Sequence, residues 1–177
     1  MGDFPNKIVK GGNYGLLSPF SNTPLADGMA IANAATTNTA TTWTANRAIY
    51  LPICVNRPIT VLDFQIIVTT QNGNVDAGIY NWGGTKIVSN GGVACGAAGL
   101  QTIAVADTLL NPGWYHIAFA SSSSTAVFRA SNASTVLVRA CGGQQESSAY
   151  PLPSTATFAA YATGIFPMIV ASFKSVF

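Results

Sequence analysis

The chain has 177 residues, 49% hydrophobic and only 8% charged, and its eight basic and six acidic residues leave a formal charge of +2. That length suits one domain, or one domain with an arm, and can bury about 70% of the surface of the unfolded chain. The charges are scattered singly from Asp3 to Lys174; no patch stands ready to neutralise a run of phosphates, which argues against nucleic-acid binding.

A surface so poor in charge has little electrostatic protection against association, so part of it is expected to lie against other subunits; a neutral Thr/Ser surface on a monomer is the alternative. The start, MGDFPNKIVKGGNYG, has no basic segment leading into an apolar core of roughly 7 to 15 residues, and no apolar run of about 18 residues occurs. Neither a secretory leader nor a membrane partner is expected, and synthesis in a cytoplasm follows. Asn6 stands where a myristoylation signal at Gly2 would want Ser or Thr. Cys54, Cys95 and Cys141 are odd in number and far apart; they lack zinc or redox spacing and read as buried free thiols.

Residues 1–46 differ from the rest. An Ala/Thr/Asn run from Ala32 to Asn46 has no helical stripe and too little apolar mass for a core. The segment is expected to be an extended arm ordered by a neighbouring surface, with disorder as the alternative. Its embedded Tyr14, Leu16, Leu17, Phe20 and Trp43 are the candidate assembly contacts, because aromatic anchors carry much of the energy of docking.

From Arg47 onward, β-branched and aromatic runs alternate with Gly, Pro, Asn and Ser. In ITVLDFQIIVTT, Leu62, Phe64, Ile66 and Val68 fall on one side of a half-buried strand. VDAGIYNW and TKIVS flank Gly83-Gly84, which suits a tight hairpin pairing Ala77–Asn81 with Thr85–Ser89. In GWYHIAFA, Tyr115, Ile117 and Phe119 share one face, and Trp114, His116, Ala118 and Ala120 the other. TVLVRA is read as a further strand, and Tyr150-Pro151-Leu152-Pro153 as a stiff crossing between sheets. About nine such strands and no long amphipathic stretch predict an all-β antiparallel sandwich over 47–177, with Ile79, Ile117 and Phe119 also in its core.

Chemistry is sparse. His116 is the only histidine, and no G-x-S-x-G elbow accompanies it; it is expected to be structural. Asp63, Asp76, Asp107 and Glu146 are too evenly spread to name a pair for glycosidic cleavage. No cluster suggests a metal and no glycine-rich loop has the Lys-Ser/Thr ending of a phosphate loop, so neither cofactor nor catalysis is expected. Tyr80 and Trp82 beside the hairpin turn are the candidate glycan contacts, stacking on a sugar ring, with capping of the core as the alternative.

The stretches NYGLLSPFSNTPLADGMA, VDAGIYNWGGTKIVSNGG, LQTIAVADTLLNPGWYHIAFA and AYPLPSTATFA together resemble small virion-associated proteins of tailed bacteriophages, from about Asn13 to Phe158. Their most specific elements are Gly78-Ile79-Tyr80 entering a glycine turn, and Leu109-Leu110 followed by Pro112-Gly113-Trp114-Tyr115. The resemblance implies a β-sandwich or jelly-roll-like module that decorates heads or sits on tails and fibres. It implies a non-enzymatic virion part present in many copies, often trimeric, with other capsid or tail proteins as partners. A carbohydrate-binding module that engages a host surface glycan is the second expectation.

Overall fold

The computed structural model describes residues 14–17, 38–132, 135–140, 142–163 and 165–175. Its strands begin with β1 (Tyr14–Leu17), β2 (Asn38–Thr42), β3 (Arg47–Val55), β4 (Ile59–Thr70) and β5 (Asn74–Asn81). They continue with β6 (Lys86–Ser89), β7 (Val93–Ala94), β8 (Gly99–Leu110), β9 (Gly113–Ser121) and β10 (Val127–Asn132). A short helix, α1 (Thr135–Ala140), precedes β11 (Gln144–Glu146), β12 (Ala159–Ala160), β13 (Ile165–Pro167) and β14 (Ile169–Ser175).

These strands form two antiparallel sheets packed face to face, an all-β sandwich. The first runs β1-β14-β4-β10-β13, with β2 also on β10 and β8 on the other side of β4. The second runs β12-β11-β3-β9-β5-β6, with β7 also on β5. The main core fills the space between them: Ile49, Leu51 and Ile53 of β3, Ile79 of β5 and Ile117 and Phe119 of β9 face Phe64, Ile66 and Val68 of β4 and Ile169 of β14.

The period of two in β4 explains why Phe64, Ile66 and Val68 are buried together. Upstream, a bulge opposite β8 between Val61 and Asp63 shifts the phase by one residue. Val61 is consequently buried and Leu62 only half-buried, a correction to the strict alternation expected there.

Residues 38–46 belong to the sandwich rather than to an arm. β2 pairs with β10 from Thr42↔Val127 to Asn38↔Ser131. Trp43 is buried, its indole edge-on to Phe119 at 5.4 Å and to Phe128 at 6.5 Å, and its Nε1–H donates to the Arg47 carbonyl at 3.0 Å. Its expected role as an assembly contact is therefore corrected: the aromatic partners of Trp43 are in the same chain. Tyr14, Leu16 and Leu17 lie in β1, whose backbone pairs with β14 through Tyr14↔Lys174 and Leu17↔Ala171. Phe20 and Cys141 fall outside the described residues.

The predicted hairpin forms, with Gly78↔Ser89 and Ile79↔Val88 in register. Of its two turn glycines, Gly84 has the positive φ, 88°. TVLVRA is helical, not extended, despite its β-branched residues. Its end is closed by Gly142 N–H to the Arg139 carbonyl and Gly143 N–H to the Val138 carbonyl, a glycine exit that satisfies helix-end carbonyls.

The Tyr150-Pro151-Leu152-Pro153 segment does not cross between sheets. It lies in a strap, residues 147–158, joining β11 to β12, which pair with each other within the second sheet. The strap covers the outer face of that sheet, where Leu152 and Ala149 pack on Tyr50, Tyr80, Ala48, Ala118 and Ala120 in a second apolar cluster. Both faces of β9 are thereby buried over its last five residues, Ile117 to Ser121, a pattern that a one-sided strand would not show.

Candidate functional site

The strap stops short of one end of the outer face, and the side chains left there are aromatic. Alternation along β9 puts Trp114 and His116 on this face, and the register with β3 sets Cys54 beside Trp114 and Pro52 beside His116. The hairpin turn after β5 brings Trp82 onto the same spot. Trp82 and Trp114 are each 52% exposed, with ring centroids 5.9 Å apart and planes inclined at 59°.

His116 is only 2% exposed and lies flat against Trp82, with centroids 4.7 Å apart and planes 10° from parallel. Phe158 of the strap contacts the imidazole at 4.9 Å. Burial lowers the His116 pKa, opposed by the Asn81 and Gly142 carbonyls, so the ring is uncharged at neutral pH. The glycine exit of α1 approaches the rim of the Trp82 indole: a Cβ at Gly142 would lie 3.4 Å from Trp82 Cη2 and 3.7 Å from Pro52 Cγ. One face of the Trp82 indole is thus backed by a buried ring, while the side chain as a whole stays half-exposed.

Tyr80 does not take part. It is fully buried beneath the strap, edge-on to Tyr50 at 5.1 Å, and its hydroxyl donates to the Pro153 carbonyl. Its expected role as a glycan contact is corrected for that reason, while Trp82 is half-exposed. The exposure of Trp114 depends on where the strap ends, which its sequence neighbourhood does not encode. The signal in the sequence is a Trp four residues before its period-mate Ala118, on the non-core face of a strand whose other face is apolar.

The acids are dispersed. Asp76 is wholly buried, its carboxylate accepting the Leu152 and Gly91 N–H groups at 2.9 and 3.0 Å. Burial raises its pKa, against which those two hydrogen bonds and Lys86 act. Glu146 accepts from the Tyr50 hydroxyl at 2.7 Å and the Thr157 N–H at 3.0 Å. Both serve the strap. Asp107 is exposed on β8. Among the described residues no group of three or more His, Cys, Asp or Glu is placed to hold a metal ion, and no helix is long and apolar enough to cross a membrane. Cys54 and Cys95 are free thiols, the first half-buried and the second buried.

A cleft of about 100 Å³ lined by Thr41, Thr42, Trp43, Thr44, Arg47 and Thr163 lies elsewhere. It is small beside the pockets of roughly 300 Å³ and more that enclose organic ligands. The aromatic platform is the better-formed candidate. Comparison of the chain with protein-family models, with curated proteins and with solved structures finds no match.

Proposed function

We propose that this protein is a non-enzymatic structural component of a tailed-phage virion, an accessory or tail-associated sandwich that docks on other virion proteins as a homo-oligomer. The observation that supports it most is β8. This strand is twelve residues long, and among the described residues it pairs only with β4. It exposes Leu100 at 64% and Leu109 at 56%, with Asp107 as its sole charge. A free-standing domain ordinarily blunts so long an edge with lysine, proline or a covering loop, because unpaired strand groups invite association. A part that is covered in its assembly does not need to.

The backbone of β1 pairs with β14 at the edge of the first sheet; Tyr14, Leu16, Leu17 and Phe20, within residues 1–37, are the proposed assembly contacts. Mass spectrometry of gradient-purified phage particles from the source culture tests the reading: the chain is expected at a fixed ratio to the major shell or tail protein. Its absence from particles would overturn the assignment.

A second reading, a carbohydrate-binding host-adhesion module of a tail or fibre, is favoured by one specific observation. Two half-exposed tryptophans side by side are a costly surface for a part that binds nothing.

A further inference from the structure

We propose that Trp82 and Trp114 form a binding site for a neutral hexopyranose ring, with the open face of Trp82 as the stacking surface, Trp114 as the second wall and His116 as a positioning residue behind it. The inference deepens the host-adhesion reading and rests on it.

The ligand class follows from the chemistry of the surface. The site is built from Trp82, Trp114, Pro52, Cys54, His116 and Gly142, none of which carries a formal charge at neutral pH. An acidic sugar would therefore meet no counter-ion among these residues, whereas the C–H face of a neutral pyranose meets the electron-rich face of an indole, a favourable pairing for a quadrupolar ring. The two indoles are inclined at 59°, so they do not make one flat ledge. A ring stacked on Trp82 can meet Trp114 with another of its sides. Peptide partners are less well served, since the exposed area of these side chains is aromatic rather than aliphatic.

Rigidity is the second element of the argument. An indole free to change rotamer loses that freedom on binding; one already stacked at 4.7 Å on a buried ring, with Gly142 at its rim, has lost it in folding. His116 is pinned between Trp82 and Phe158, so the strap fixes the imidazole and the imidazole fixes the indole. His116 touches no ligand in this scheme.

The test uses the full chain, titrated calorimetrically with cellohexaose, maltohexaose and a β-linked galacto-oligosaccharide, and with an oligogalacturonate as the acidic comparison. At least one neutral oligomer should bind at about 1 mM or tighter, and the acidic one should not. Trp82→Ala and Trp114→Ala should each weaken binding about tenfold or more at unchanged melting temperature, since both side chains are half-exposed. His116→Phe, which keeps a flat ring, should retain affinity, while His116→Ala should lose it without altering the preference among sugars. No binding by any neutral oligomer, or binding indifferent to both tryptophans, overturns the proposal. Loss of the two tryptophan variants from particles without any sugar binding would make the platform a protein interface, overturning this inference and sparing the structural reading. Sugar binding by a chain absent from particles would do the reverse.

Discussion

The buried carboxylate of Asp76 accepts the main-chain N–H of Leu152 at 2.9 Å, joining residues 76 positions apart and tying the strap to the middle of β5. Its other oxygen takes the Gly91 N–H, and Lys86 Nζ donates to the Leu152 carbonyl at 2.7 Å. One acid thereby serves the strap and the loop after β6 together. Replacing Asp76 with Ala should lower stability by about 1 to 3 kcal/mol, the cost of a buried N–H left without a partner. Amide exchange checks the location: Leu152 and Gly91 should lose protection while Ile117 and Phe119 in the core keep theirs.

Asp76 and His116 should move stability with pH in opposite directions. Burial raises the Asp76 pKa above its ordinary 3.8, so between 3.8 and the raised value the folded state holds more protons than the unfolded. Stability contributed by this group therefore increases as pH falls through that window. Burial lowers the His116 pKa below 6.5; the unfolded state then holds more protons, and stability decreases as pH falls from 6.5 to the lowered value. Melting temperatures of Asp76→Asn and His116→Phe, compared with the parent across pH 3 to 8 (about the range these groups span), should each remove one of these slopes.

Gly78 is in the interior of β5, where glycine ordinarily weakens a strand. A Cβ there would lie 2.5 Å from the Val88 carbonyl oxygen and 3.3 Å from Leu152 Cδ1. The glycine is what lets β6 and the strap close over the sheet. Gly78→Ala should cost about 1 to 3 kcal/mol as an overpacked site, although glycine-to-alanine changes in open strands tend to stabilise. Urea denaturation gives the sign directly.

Truncation distinguishes assembly from folding. Removing residues 1–37 should leave a folded sandwich that no longer enters particles, whereas removal through residue 46 should also strip β2 from β10 and Trp43 from its contacts with Phe119 and Phe128. Trp43→Ala alone should cost about 3 to 5 kcal/mol, as should Phe64→Ala in the centre of β4. Thermal unfolding of the four proteins, with particle incorporation of the first, checks this; a 1–37 deletion that incorporates normally would dismiss the assembly role of that segment.

The sequence by itself determined the all-β sandwich, the hairpin about Gly83-Gly84 and most of the core, because strand periodicity and turn chemistry are local: Phe64, Ile66 and Val68 face inward for reasons contained within β4. It also brought Trp82 forward, since an aromatic next to a glycine turn is conspicuous. What the tertiary structure decided were the matters fixed by partners distant in the chain. Trp43 reads as an arm residue until β2 is seen on β10. TVLVRA has the composition of a strand, yet α1 is helical where its glycine exit returns the chain to β11. Tyr80 and Trp114 both lie on the outer face of the second sheet, and alternation alone treats them alike. The strap, held by Asp76 and Glu146, covers one and ends before the other. Exposure there is a property of where a segment some 70 residues further along β5's chain comes to rest, a long-range contact that no local pattern encodes.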